Sequence, residues 1–346
     1  MRILRVLLAF ALVGIGVVST VGSGGGGGNG IDDAIKNFHG PCCIPSPDPV
    51  PTITIDNAQD VSATVVQAID QLLDLAAKIG GQIFPSPPAA SDLLSSHSKF
   101  EFVAVAASEE PVTVTCAVSG TVRVYGYPDN DPVTLSTRDA FGLIYDSCDD
   151  GDGYTLDGRM DSIIVDELEG DPSTDVFRIT YRFSSMSPLI VTAGADSYLA
   201  ASSGQRFILK WDSLAFPVVV LTATPGNLQL STQAGADSWY WLSDQAGEHS
   251  LTVNADISIP TTRVDARESQ MYSDYFGDIS YEIIVPLQAP GGQDPESGEI
   301  MISGGSGNVT IHIVIESSAS VRLEIDADGD GTVDDYHYTT WSALRG

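Results

Sequence analysis

Val321-Arg-Leu-Glu-Ile-Asp-Ala-Asp-Gly-Asp-Gly-Thr-Val-Asp-Asp-Tyr-His-Tyr-Thr-Thr340 is the stretch that decides the fold. Val321, Leu323 and Ile325 alternate with Arg322 and Glu324, and the run from Tyr336 to Thr340 is rich in aromatic and β-branched residues. Period 2 and that composition belong to strands, not helices. Between the two runs stand Asp326, Asp328, Asp330, Asp334 and Asp335, interrupted by Gly329 and Gly331. Glycine supplies the tight backbone of a turn, so the stretch reads as a β-hairpin closed by an acidic loop.

The loop's chemistry can be named. Calcium is a hard cation that takes about six to eight oxygens, and alternate side chains curling round a glycine turn can supply them. Asp326, Asp328, Asp330 and Asp334 would give carboxylates and Thr332 its backbone carbonyl. The pattern D-x-D-x-D-G-x-x-D resembles the loops of EF-hands, dockerins and integrin-type propeller repeats. An EF-hand has glutamate at its twelfth position, where this chain has His337, and helical rather than strand flanks. The strand-loop-strand version remains, with calcium as a structural cofactor of affinity on the order of 10⁻⁴ M or weaker, because the bidentate twelfth ligand is missing.

Strand signals continue upstream. Thr113–Val118 and Thr121–Tyr127 alternate around Ser119-Gly120, read as a two-residue hairpin turn. Ala140–Tyr145, Met160–Leu168, Val176–Phe183, Arg206–Trp211, Val218–Thr224, Leu228–Thr232, Ser250–Ile257, Ser280–Pro286, Ile300–Ser303 and Val309–Glu316 follow. Short connections between consecutive strands imply antiparallel pairing, since parallel pairs need long crossovers. Ala193-Gly-Ala-Asp-Ser-Tyr198 is echoed by Ala234-Gly-Ala-Asp-Ser-Trp239, read as one turn solution used twice.

One helix precedes the strands. Val61, Val65, Ile69, Leu72, Ala76 and Ile79 share a face at helical spacing. Asp56 with Gln59 forms a candidate capping box, and Gly80-Gly81 a candidate stop. The polar face lacks the basic residues of a membrane-surface helix, so the stripe is expected to pack on the sheet. The fold class is therefore all-β: an antiparallel meander, open barrel or sandwich, with one N-terminal amphipathic helix packed on it.

The N-terminus reads as an address. Arg2 and Arg5 precede an apolar run from Val6 to Val18 and small residues to Ser23, which is a secretory signal peptide over residues 1–22. Residues 23–55 are a Gly/Pro-rich linker, and 56–346 a single β-rich domain. The apolar run is too short for a comfortable membrane span, and no other stretch could cross. The Ser23-Gly24-Gly25-Gly26 tract resembles the tether of bacterial lipoproteins, but Ser23 stands where their cysteine would be, so there is no thiol to acylate.

Four cysteines in an exported chain suggest disulfides. Cys116 and Cys148 both flank expected strands, and joining them closes a loop of about 33 residues, stabilising by roughly 3–4 kcal/mol in the chain-entropy model. Cys42 and Cys43 are adjacent in the linker, and a vicinal bridge, free thiols and intermolecular pairing all remain open for them. The formal charge of −30 at pH 7 repels nucleic acid and anionic headgroups. Catalytic templates are absent from the sequence: there is no G-x-S-x-G, H-E-x-x-H, phosphate-binding glycine loop or C-x-x-C. The five histidines are scattered; His249 reads as lying in a turn and His312 on an outer strand face beside Glu316. Asp149-Asp-Gly-Asp-Gly153 with Asp157 is a poorer metal candidate, better read as a solvated turn.

Gly298-Glu-Ile-Met-Ile-Ser-Gly-Gly-Ser-Gly, the acidic hairpin, Thr339-Thr-Trp-Ser-Ala-Leu344, Cys116-Ala-Val-Ser-Gly-Thr121 and Asp146-Ser-Cys-Asp-Asp-Gly-Asp-Gly153 together resemble an uncharacterised family of exported gammaproteobacterial proteins, often lipoproteins. The resemblance spans roughly residues 110–346. It implies the periplasm or cell envelope of a Gram-negative bacterium, outer-membrane or envelope association, and the Cys116–Cys148 pairing, and it brings no activity. The expectation is a non-catalytic envelope protein with a calcium-binding hairpin, in a structural or adhesive role. The alternative is a periplasmic carrier holding a hydrophobic ligand in a half-open barrel.

Overall fold

The computed structural model describes residues 53–83 and, between 112 and 345, the strands and turns named below. The expected signal peptide, nearly all of the expected linker, Cys42 and Cys43, and residues 150–153 of the second acidic stretch lie outside the described residues. A short 3₁₀ turn, Ile55–Asn57, leads into helix α1, Ala58–Ile83. Among the described residues, 19 strands form one open antiparallel sheet.

The sheet begins with β1 (Val112–Thr115), β2 (Ser119–Tyr127), β3 (Ala140–Asp149) and β4 (Tyr154–Asp171). Next come β5 (Val176–Ser184), β6 (Leu189–Ala193), β7 (Tyr198–Ser202), β8 (Phe207–Asp212), β9 (Val218–Thr224) and β10 (Leu228–Thr232). Then follow β11 (Ser238–Trp241), β12 (Glu248–Asn254), β13 (Thr261–Arg267), β14 (Ser269–Ser273) and β15 (Gly277–Pro290). The last are β16 (Ser297–Gly304), β17 (Thr310–Ser317), β18 (Ser320–Asp326) and β19 (Asp335–Thr339), followed by a short helix α2 (Trp341–Arg345).

The middle of this meander is built in two rows. On its edge away from β3, β4 pairs with β6 through residues 154–158 and with β5 through residues 162–171. One row continues β5, β8, β9, β12, β13 and the other β6, β7, β10, β11, β14. Both rows end on β15, against residues 287–290 and 277–281. Where the rows meet, Glu268 adopts φ +39° and the β15–β16 register shifts between Ile283 and Gln288. Such interruptions bend a strand and add twist, and this crease lets the sheet curve. The helix accordingly touches β8, β9, β10 and β12 from the middle and β17 and β18 from the end.

The core follows from alternation. Ile311, Ile313 and Ile315 of β17 face Ile325, Leu323 and Val321 of β18, and Ile302 and Ile300 of β16 complete the row. On α1 the buried set is wider than one stripe: Val61, Val65, Ile69, Leu72 and Ala76 are joined by Val66, Ala68, Leu73 and Leu75. Each fully buried Ile or Leu is worth roughly 1.5–3 kcal/mol. The remaining polar strip of α1 meets α2. Gln67 Nε2 donates to the Leu344 carbonyl at 3.2 Å, while Arg345 pairs with Asp70 of α1 and with Asp294 beyond β15. Trp341 and Leu344 are buried beside them. So α1 lies in the trough of the sheet with the C-terminal segment clasped over it. Among the described residues no helix is long and apolar enough to cross a membrane, a statement about helices only.

Several local expectations are corrected. The helix is entered through Thr54 and Asn57, with the Thr54 N–H donating to Asn57 Oδ1 at 2.8 Å, and not through Asp56 and Gln59. Gly80-Gly81 does not stop it: two glycines cost about 1 kcal/mol each, which the buried face outweighs, and the helix runs to Ile83. Ser119-Gly120 is not the hairpin turn, because Thr115 pairs with Thr121 and both residues belong to β2. Gly120 instead sits at a register shift against β3, at φ +79°, where a Cβ would lie 2.1 Å from the Ser147 carbonyl oxygen. Cys116 and Cys148 are bonded across this bulge, Cα–Cα 5.5 Å, tying the end of β1 to β3. The echoed segments lead into β7 and β11, the return strands of neighbouring hairpins joined by β7–β10 pairing; the turns themselves, residues 194–197 and 233–237, lie outside the described residues.

Candidate metal centre

The hairpin β18–β19 pairs Val321 with Thr339 through to Ile325 with Asp335, and the Asp334 N–H donates to the Ile325 carbonyl at 2.8 Å. Asp326, the last residue of β18, is buried, whereas the loop beyond it is mostly exposed. Its carboxylate organises the loop from inside: Oδ1 accepts from the Gly329 N–H at 2.7 Å and Oδ2 from the Gly331 N–H at 2.8 Å. Asp328 Oδ1 accepts from the Asp330 N–H, and Asp334 Oδ2 from the Ala327 N–H at 2.8 Å. Gly331 stands at φ +85° with nothing within 4 Å of where a Cβ would be, so glycine serves backbone conformation here and not space.

These bonds turn carboxylates inward. One ligand oxygen from each of Asp326, Asp328 and Asp334 falls within 4.8 Å of the others. At such separations each like-charged pair repels by about 1–4 kcal/mol, depending on how much water screens it. A divalent cation would turn that repulsion into attraction. Asp330 is not one of the three. Its Oδ1 accepts from the Thr332 N–H at 2.7 Å, and Thr332 is thereby drawn into the loop through its backbone. His337, at the twelfth position, lies on β19 with Nε2 2.6 Å from Gln59 Oε1 of α1, so it ties the hairpin to the helix.

Two further constellations were not legible. His312 lies on the outer face as expected, but its neighbours are Glu299 at Nε2 (2.9 Å) and Glu324 at Nδ1 (3.1 Å), brought alongside by cross-strand pairing. Glu316 pairs with Arg322 instead. His249 is not in a turn: it lies on β12 and is 0 % exposed. Its Nε2 is 2.7 Å from the Tyr281 hydroxyl and 3.4 Å from Ser269 Oγ, and the Trp241 indole N–H donates to the same Tyr281 oxygen at 3.1 Å. Burial lowers the His249 pKa to about 3 and pushes the Tyr281 hydroxyl well up. The sequence signal was the period-2 run His249, Leu251, Val253. Of the second acidic turn, Asp157 is described, and its carboxylate accepts from Ser147 Oγ at 3.2 Å.

No family model matches this chain, and comparison with curated proteins and with solved structures finds no match.

Proposed function

We propose that the chain is a non-catalytic protein of the Gram-negative cell envelope whose last hairpin is a calcium clip, serving structure or adhesion. The observation that carries the reading is the convergence of Asp326, Asp328 and Asp334 within 4.8 Å on a loop whose backbone already holds each carboxylate in place. Oxygen-only ligands suit calcium, and Asp330 and the Thr332 carbonyl would add further oxygens, with water or bidentate carboxylates bringing the count to the roughly six to eight that calcium takes. The loop leads through β19 directly into the clasp on α1, so ordering it stabilises the closure of the domain. The Cys116–Cys148 bond supports an oxidising address. His249 is sealed from solvent, and its hydrogen-bonding neighbours among the described residues are Tyr281 and Ser269. Titration calorimetry tests the clip. Calcium should bind the wild type with a Kd on the order of 10⁻⁴ M or weaker, and the heat should vanish in Asp328→Ala/Asp334→Ala. Wild type without heat refutes it.

The carrier reading draws on one observation, the sheet wrapped round α1 from both its middle and its end. That trough is occupied by the helix's own Val61, Ile69 and Leu72, so a hydrophobic ligand would have to displace α1. Protection of α1 from hydrogen exchange that is unchanged by long-chain fatty acids would dismiss this alternative.

A further inference from the structure

We propose that the buried group formed by His249, Tyr281, Trp241 and Ser269 is an acid-sensitive latch that holds the two rows of the sheet together at the crease. The placement is the first argument. Trp241 ends β11 and Ser269 begins β14, both in one row, while His249 lies at the start of β12 in the other. Tyr281 lies on β15, which spans both rows, just before its register shifts at Ile283. These side chains therefore bridge the strand breaks that let the sheet bend.

The proton inventory is the second. The indole N–H can only donate, so the Tyr281 oxygen accepts from Trp241. Whichever ring nitrogen of neutral His249 carries the proton, Nδ1 has no hydrogen-bond partner among the described residues. Protonation would put N–H on both nitrogens. The Nδ1–H would have no acceptor among the described residues, and the Nε2–H would have to share the Tyr281 oxygen with Trp241 or turn to the more distant Ser269 Oγ. A charge there is uncompensated among the described residues, none of which places an anionic group against it. Ala223 of β9 and Ala266 of β13 flank it in register, and the described buried residues of α1 are apolar apart from Ser62 and Thr64, with the neutral Gln71 Oε1 atom also buried. Glu248, next along β12, is exposed on the opposite face. Among the described residues Tyr281 is the titratable group in contact with it, and burial keeps its hydroxyl neutral.

The sign follows. Above about pH 6.5 the histidine is neutral whether the latch is closed or open, and closure is indifferent to pH. Below that value the open state binds a proton that the closed state, with its pKa lowered to about 3, does not. The closed-to-open ratio then falls about tenfold per pH unit.

The test is hydrogen exchange on the full chain at pH 7, 6 and 5, corrected for the intrinsic pH dependence of exchange. Peptides from β11 to β15 should lose protection by about 25-fold between pH 7 and 5, while β16 to β18 change far less. In His249→Gln, which cannot titrate, that slope should disappear. Protection of β11–β15 that is flat to pH 5, or an equal slope in His249→Gln, would overturn the latch. Should that variant not fold, NMR titration of wild type decides: a His249 resonance titrating near pH 6.5 in an intact fold contradicts the proposal, and one that stays neutral until β11–β15 open supports it.

Discussion

Removing Trp341 separates packing from charge in the clasp. Its side chain is 2 % exposed and belongs to the same core as α1, so Trp341→Ala forfeits transfer energy and leaves a cavity, together about 3–5 kcal/mol. Arg345, four residues on, holds Asp70 and Asp294. Its side chain is 38 % exposed, so screening and side-chain entropy leave those pairs worth under about 1 kcal/mol. Urea unfolding followed by circular dichroism should show a large fall in midpoint for Trp341→Ala, with little change in slope, and a small one for Arg345→Ala. Natural domains hold about 5–15 kcal/mol in all, so the tryptophan alone would spend a sizeable share. A variant pair in the reverse order, with Arg345→Ala the more damaging, would show that the clasp is held electrostatically and that its packing has been misjudged.

Replacing Cys116 and Cys148 together by alanine should lower stability by roughly 3–4 kcal/mol on the chain-entropy estimate, read as a melting shift that reducing agent reproduces in wild type; a wild type indifferent to reductant would deny the bond. Gly304→Val should destabilise by about 1–3 kcal/mol through overpacking, because a Cβ there would lie 1.9 Å from Ile53 Cδ1; unchanged stability would mean that Ile53 is not seated on β16. Tyr281→Phe should cost about 1–3 kcal/mol by leaving the Trp241 N–H without its acceptor, checked by denaturation at pH 7, where the His249 charge plays no part; a neutral effect would argue for water in the cluster.

How much was readable depended on whether the signal was local. The strands β16 to β18 announce themselves because Ile300, Ile302, Ile311, Ile313, Leu323 and Ile325 alternate with polar partners, and one face of an antiparallel sheet is all that the core needs. The disulfide was readable because both cysteines flank strands. Strands β6, β7, β11, β13 and β14 were missed. Four of them are only four or five residues long, too short for a periodic signal, and all gain their status from neighbours in the rows and not from their own pattern. The clasp was missed for a related reason: five residues make no periodic signal, and Trp341 and Leu344 are meaningful only against α1, far away in sequence. In the acidic loop the identity of the oxygens was legible, but which carboxylates converge was not. That is decided by the Gly329 and Gly331 amides that engage Asp326. His249 illustrates the converse, since a histidine beside Gly247-Glu248 looks like turn until its strand partners Ala223 and Ala266 are known.

The most direct test of the calcium clip is the stability of the folded protein with and without the ion. Denaturant unfolding in calcium at about a hundred times a Kd of 10⁻⁴ M should raise stability by about 2.7 kcal/mol over the same protein in chelator. Asp328→Ala/Asp334→Ala should unfold at one midpoint in both. Wild-type curves that superimpose in calcium and chelator would contradict the account and leave Asp326 to Asp335 as an acidic turn and nothing more.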